Sequence, residues 1–266
     1  MRVFLYFTCY NCFVTTIGKI HSIETGGMVD GPGIRYVIFA QGCPMQCIYC
    51  HNPDTWNNSC KRAKSLSVDE LVSDIIKYKS YFKHSGGGIT LSGGEPLLQK
   101  QFALELFKQC KAHGIHTALD TSGYDTKIDD ITRELLRYTD LVLLDIKSIS
   151  PATFKKITKR NIDKTLDFAN YLAVHNVPTW IRFVLIPDIN DNASEIHELG
   201  KYIATLNRTS SNIQKIEVIP FHQMGAHKWN EIGKEYELVD TKSPTQKQVD
   251  EVKKILQQYN TIIEVC

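Results

Sequence analysis

Beyond Gly18, short runs rich in β-branched and apolar residues alternate with longer stretches whose apolar positions recur at helical spacing. The runs predict strands over 35–40, 88–92, 115–120, 141–145, 179–185 and 215–219. The intervening stretches predict helices over 67–83, 99–113, 129–138, 162–175, 192–206 and 245–259. In the first of these, Val68, Leu71, Val72, Ile75 and Ile76 fall on one helical face, and Ser67 with Glu70 three residues later spells a capping box. Strictly alternating strands and helices imply right-handed βαβ units around a parallel sheet, and six such units suit a full or partial α/β barrel better than a sandwich. No Pro/Gly/Ser-rich linker, internal repeat or low-complexity tract divides the chain, so residues 18–266 are expected to form one domain. Residues 1–17 are expected to lie outside it as an extension without an assigned role.

Polar residues gather at the carboxyl ends of the expected strands: Ser92-Gly93-Gly94-Glu95, Asp120-Thr121-Ser122-Gly123, Asp145-Ile146-Lys147, and His222 shortly after the sixth. In α/β barrels this is the face that carries chemistry. Composition narrows the rest. Of 266 residues, 42% are hydrophobic and 23% charged, ordinary for a globular chain, and the formal net charge of +2 gives no global basic field for nucleic acid. No apolar run approaches the roughly 18 to 20 residues of a membrane-spanning helix. The apolar start of the chain, Val3 to Phe7, is broken by Cys9, Asn11 and Cys12 and does not read as a signal peptide. Eight cysteines are too sparse for a disulfide scaffold.

Three of those cysteines crowd into one loop after the first expected strand, Cys43-x3-Cys47-x2-Cys50. A tight cluster in a cysteine-poor chain reads as metal ligation in a reducing compartment. A structural zinc ion wants four ligands, for which His51 or Cys60 are candidates. A [4Fe-4S] cluster wants one ligand per iron, so three thiolates leave one iron open to a substrate. The pair Cys9 and Cys12 supplies only two ligands and makes no site by itself.

The loop, with Tyr49 before its last cysteine, resembles the radical S-adenosylmethionine superfamily. Asp30-Gly31-Pro32-Gly33-Ile34-Arg35, Gln41-Gly42-Cys43, Tyr49-Cys50-His51-Asn52-Pro53-Asp54-Thr55-Trp56, Ser85-Gly86-Gly87-Gly88, Ser92-Gly93-Gly94-Glu95-Pro96, Gly114-Ile115-His116-Thr117 and Leu144-Asp145-Ile146-Lys147 resemble its pyruvate formate-lyase activating enzymes from about Gly18 to the end. The resemblance implies a partial (β/α)6 TIM-like barrel. It implies an oxidoreductase in which Cys43, Cys47 and Cys50 hold a [4Fe-4S] cluster whose fourth iron binds S-adenosylmethionine. Reductive cleavage then gives methionine and a 5'-deoxyadenosyl radical, which takes a hydrogen atom from a glycine of pyruvate formate-lyase. Related activases often carry an inserted cysteine-rich segment before the Gly-Gly-Glu turn. Only Cys60 lies in that interval here, which fits the short, single-cluster type.

Residue by residue, the resemblance places Tyr49, Cys50 and His51 near the adenine, Gly93 and Gly94 at the methionine, and Asp145, Ile146 and Lys147 at the ribose and carboxylate. Glycine suits positions 93 and 94 if a backbone carbonyl must approach the ligand closely. On the residues alone Tyr49 is equally a core tyrosine, and Asp145 with Lys147 a solvated ion pair. Arg182 within an apolar strand calls for a partner, and an anionic ligand group is one candidate. His222 matches a late histidine near the adenine. Asp120 and Asp145, with oxygens from Thr121 and Leu143, resemble a monovalent-cation site. The implied partners are pyruvate formate-lyase and flavodoxin or ferredoxin as electron donor, with no nucleic acid or membrane, for a cytoplasmic monomer of anaerobic glucose metabolism. Alternatives are an activase of another glycyl radical enzyme and a zinc-binding interaction module.

Overall fold

A computed structural model describes residues 15–57, 62–124, 127–259 and 262–265. The readings made for Cys9, Cys12 and Cys60 fall outside them. The chain opens with a long strand β1 (Ile17–Gly27), followed by β2 (Arg35–Ala40), a short β3 (Lys64–Ser67), and helices α1 (Val68–Ile75) and α2 (Lys79–Ser85). Then come β4 (Gly88–Gly93), α3 (Lys100–Ala112), β5 (His116–Thr121), α4 (Asp130–Arg137) and β6 (Leu141–Asp145). The second half runs α5 (Pro151–Thr158), α6 (Asp163–Val174), β7 (Thr179–Leu185), α7 (Ala193–Ser210), β8 (Ile213–Pro220), α8 (Ala226–Glu231), α9 (Gln246–Gln257) and β9 (Ile263–Val265).

All six expected strands are present as β2 and β4 to β8, mutually parallel, and β9 continues the parallel set beyond β8. At the other side β1 pairs antiparallel with β2 and β3 with β1, so the order β3-β1-β2-β4-β5-β6-β7-β8-β9 is open, with two edges. The sheet begins at Ile17, which pairs with Ser67, one residue before the expected domain start. The expected helix over 67–83 is divided: its capping box forms as read, but a tight turn at Ile76–Tyr78 separates α1 from α2.

The two faces of the sheet have different cores. Alternate residues such as Tyr36, Ile38, Ile89, Leu91, Val142, Leu144 and Ile181 pack outward under the helices in one large cluster. The inner face carries a small apolar plug, Ala118, Leu141 and Leu143 with Trp180 packed against it. Toward the cavity it is mixed, with Phe39, Val184 and Ile219 beside Asp120, Asp145 and Arg182. His51, beyond β2, and His222, just beyond β8, follow strands five places apart, yet their rings meet at 35° with centroids 4.3 Å apart.

Candidate active site

The cluster loop leaves β2 through Gly42, whose φ of +102° few other residues tolerate. Its N–H donates to the Thr55 carbonyl at 2.7 Å, which closes the loop at its base. Along the loop side chains alternate. Cys43, Met45, Cys47 and Tyr49 line a cavity of about 370 Å³, whereas Pro44, Gln46 and Ile48 do not. The outer side is braced by α5: Ile48 N donates to Ile157 O at 3.0 Å, Gln46 N to Thr158 O at 3.3 Å, and Arg160 Nε to Pro44 O at 2.8 Å. From α8, Trp229 Nε1 donates to Cys50 O at 2.9 Å.

The three thiols are free and face the same cavity. Burial, the largest influence, pushes all three upward; Cys47 reaches about 12 although the nearby Lys147 ammonium pulls it down. Cys43 is raised well above the usual thiol range, with added repulsion from Cys47, Glu95 and Cys50. Crowded, desolvated thiols of this kind gain most from a metal that draws off their protons. Among the described residues no three His, Cys, Asp or Glu side chains converge on a point that would hold a single ion. A cluster that takes one thiolate per iron needs no such convergence.

Facing the thiols is the turn after β4. Beside the close ligand approach that the resemblance implies for Gly93 and Gly94, the structure gives the glycines a reason in the protein's own backbone. A Cβ at Gly93 would lie 2.3 Å from Ala40 N, and one at Gly94 would lie 2.1 Å from Gly42 O. The glycines are required by the backbone of the cluster loop itself, to which the turn is tied by Gly94 N to Ala40 O at 2.9 Å and Glu95 N to Gly42 O at 2.7 Å. Glu95, whose part sequence reasoning missed, is fully buried and satisfied. It accepts from Thr121 Oγ1, from Ser122 N at 3.0 Å and Oγ at 2.6 Å, and from Leu97 N at 3.1 Å. Burial raises its carboxyl pKa against these donors. It therefore locks the ends of β4 and β5 together.

The remaining wall is charged. Lys147 Nζ pairs with Asp145 Oδ2 at 2.5 Å and stands 5.6 Å from the centroid of the Tyr49 ring. Burial works against the Lys147 charge, but Asp145 and its neighbours outweigh it and hold the pKa well above normal. Arg182 Nη1 reaches Asp120 Oδ2 at 3.3 Å, and its Nε lies 3.4 Å from Glu217 Oε2 without hydrogen-bond alignment. Burial disfavours this guanidinium too, yet Asp120, Asp145, Glu217 and Asp30 together raise its pKa. Asp120 accepts from Ser92 Oγ at 2.6 Å, and burial, with repulsion from Asp145, lifts it to about 6 against the pull of Arg182. Its Oδ1 is buried without a partner, as is the Tyr49 hydroxyl.

The structure thus brings the expected residues Cys43, Cys47, Cys50, Tyr49, His51, Gly93, Gly94, Asp120, Thr121, Asp145, Lys147, Arg182 and His222 to one cavity. Two do not line it. Ile146 turns its side chain into the core and contributes backbone, its N–H donating to Arg182 O at 3.0 Å. Leu143 sits in the inner apolar plug opposite Asp120 in the sheet register. His51 Nε2 donates to His222 O at 3.1 Å. Val29 and Asp30, from the loop between β1 and β2, also line the cavity; the Asp30-Gly31-Pro32-Gly33 motif was the signal available for them.

Comparison with known proteins agrees with this geometry. The Radical SAM superfamily matches residues 37–200. The pyruvate formate-lyase 1-activating enzyme of Escherichia coli (strain K12) is 43% identical over 246 residues, covering 92% of this chain and 98% of that protein. The pyruvate formate-lyase-activating enzyme of Staphylococcus epidermidis is 45% identical over 238 residues, 88% of this chain and 93% of that one. In fold, a crystal structure of a domain of the pyruvate-formate lyase-activating enzyme from Bacteroides vulgatus superposes with a TM-score of 0.57 at 24% identity, covering 68% of this chain and 99% of that domain. The chain therefore belongs to the radical SAM superfamily and, within it, to the pyruvate formate-lyase-activating enzymes.

Proposed function

We propose that the chain activates pyruvate formate-lyase by generating a glycyl radical on it, with Cys43, Cys47 and Cys50 holding the [4Fe-4S] cluster of this superfamily. The observation that carries this reading is the single cavity in which three free thiols face the Gly93–Gly94 turn, with the Asp145–Lys147 pair and Arg182 completing the wall. The residues fit both cofactors: three one-per-iron ligands on one side, and on the other an orphaned carboxylate oxygen, an unpartnered phenol and paired cations able to receive a charged ligand. When bound, the cluster and S-adenosylmethionine supply a 5'-deoxyadenosyl radical able to take a hydrogen atom from glycine.

The protein's own residues bind, orient and shield. Lys147 and Arg182 offer ammonium and guanidinium donors for the ligand's carboxylate, and Asp120 and Asp145 accept from its amino group or ribose. The adjacent His51 and His222 rings, inclined at 35°, provide an aromatic wall for adenine. Met45, Phe221 and Tyr49, all buried, keep water from a radical that would attack almost any C–H bond. We also assign Asp120 Oδ1, beside Thr121 and with Asp145 on the next strand, as the place of a monovalent cation. The glycine-bearing segment of pyruvate formate-lyase enters by the side of the cavity where Val29 and Asp30 meet Pro220 and His222. The protein acts in the cytoplasm, with flavodoxin or ferredoxin as electron source. Among the described residues no helix is long and apolar enough to cross a membrane.

The test is the yield of 5'-deoxyadenosine from anaerobically reconstituted, reduced protein, with and without pyruvate formate-lyase. Product matched by glycyl radical on that partner is the expected result. Slow product indifferent to it would move the activity to another substrate. No product from protein with a full cluster would overturn the radical reading, and colourless protein holding zinc would favour an interaction module.

A further inference from the structure

The side of the cluster loop that faces away from the cavity carries a local excess of basic residues. Over the whole chain 31 basic and 29 acidic residues nearly cancel. At the end of α5, Lys155, Lys156, Lys159 and Arg160 are all exposed within six residues, and in this stretch to residue 164 Asp163 is the single acid. Lys159 pairs with Glu237 at 3.2 Å; Lys155 and Lys156 meet no carboxylate among the described residues. Part of such a cluster is accounted for by the negative end of a helix dipole. That effect does not account for its location. The same turn supplies the carbonyls of Ile157 and Thr158 that accept from the cluster loop, and Arg160 donates to Pro44 O at 2.8 Å. No residue from 155 to 160 lines the cavity.

We propose that this basic turn of α5 is the docking surface for an acidic, low-potential, one-electron carrier protein, and that the electron enters through the back of the cluster loop at Pro44 and Gln46. The inference rests on the radical reading above and adds to it a place and a charge for the donor. In the step, the reduced carrier loses one electron and the cluster held by Cys43, Cys47 and Cys50 gains it; no atom is transferred. Each thiol-bearing turn of the loop is one or two residues from a backbone atom held by α5, giving a short bonded and hydrogen-bonded route from the patch to the ligands. The cavity mouth at Val29 and Pro220 stays free, so the carrier and the protein substrate can be bound together. Complementary charge at such a rim acts chiefly on association rate and on its salt dependence.

The experiment compares wild-type holoprotein with the double variant Lys155→Glu, Lys156→Glu, whose positions are exposed and outside the site. An acidic flavodoxin is the probe, and two quantities are read: its binding affinity in the oxidised state, and the rate at which its reduced form bleaches the cluster absorbance. The expected result is affinity and reduction rate each lowered about tenfold, with the salt dependence flattened. Reduction by dithionite and binding of pyruvate formate-lyase should not change. Unchanged flavodoxin affinity and reduction rate would overturn the proposal, as would weakened pyruvate formate-lyase binding with flavodoxin unaffected, since the patch would then serve the substrate protein. If dithionite-reduced wild type cleaves S-adenosylmethionine but leaves pyruvate formate-lyase without a radical, the functional reading fails, while both flavodoxin measurements still judge the docking surface.

Discussion

Arg35 and Arg182 are two arginines inside one barrel, and their surroundings are opposite. Arg35, with no exposed surface, lies at the end away from the cluster loop and donates only to neutral acceptors: Thr90 Oγ1 at 2.9 Å, Pro32 O at 3.3 Å, Ile89 O, and His116 Nδ1 at 3.3 Å. Burial lowers its pKa to about 10, with Asp140 and Asp30 acting only through space. Arg182, nearer the thiols, is ringed by carboxylates that overcome burial, and its Nε has no hydrogen-bond partner. The first arrangement gives each of the three guanidinium nitrogens an acceptor and fixes a loop, because Thr90 in turn donates to Asp30 O at 2.6 Å. The second leaves a surplus of negative charge and open valences facing a cavity. A partner for each nitrogen marks structure, and incomplete pairing next to a cavity marks a place prepared for a ligand.

Four changes would break or sharpen that contrast. The largest effect belongs to Cys47→Ala, which should abolish cluster absorbance and lower 5'-deoxyadenosine formation more than about a thousandfold, roughly 4 kcal/mol in the barrier. Retained cofactor cleavage would refute the ligand assignment. Arg35→Ala should cost about 3–5 kcal/mol in stability, since four acceptors, two of them buried, lose their donor together; urea unfolding of the variant checks this, and a loss below 1 kcal/mol would deny it a clamping role. Arg182→Lys should leave unfolding within about 1 kcal/mol of wild type yet weaken S-adenosylmethionine binding by about tenfold to a hundredfold, because the fork of donors is lost. Calorimetric titration separates the two effects.

The smallest effect is one of pH. Burial, reinforced by Arg35, lowers the folded-state pKa of His116 to about 4 from an ordinary 6.5. The unfolded chain therefore binds more protons than the folded one between those values, and stability falls as pH drops from about 6.5 to about 4. In His116→Gln this segment of the stability–pH curve should flatten, as unfolding at pH 7, 5.5 and 4.5 would reveal; parallel curves would remove His116 from the account.

Much of this was legible in the residues. Strands β2, β6 and β7 match their expected bounds, and β4, β5 and β8 differ from theirs by one or two residues at an end, because parallel strands buried on both faces are nearly continuous apolar runs. β1 was not legible. Its isoleucines at 17, 20 and 23 recur every third position, most of its residues are exposed, and β3 is a four-residue edge strand with no alternation. α5 did have a signal, Ser150 as N-cap followed by Pro151, but its eight residues give too few turns for a periodic pattern. The cysteines were legible from their spacing, and Gly93, Gly94, Asp145, Lys147 and His222 from the family resemblance, with their places after strands in support. What escaped were relations between loops distant in sequence: Glu95 holding β5, and Trp229 and Arg160 bracing the thiol loop.

The pair of glycines at 93 and 94 has a historical consequence. With a Cβ at Gly94 only 2.1 Å from the carbonyl oxygen of Gly42, the turn after β4 cannot accept a side chain there unless the cluster loop is rerouted at the same time. Two segments some fifty residues apart are thereby bound to a shared fate under mutation. Descendants of this chain are expected to keep both or to rebuild both, and a lineage that alters one alone should be found only where the fold around the thiols has already been given up.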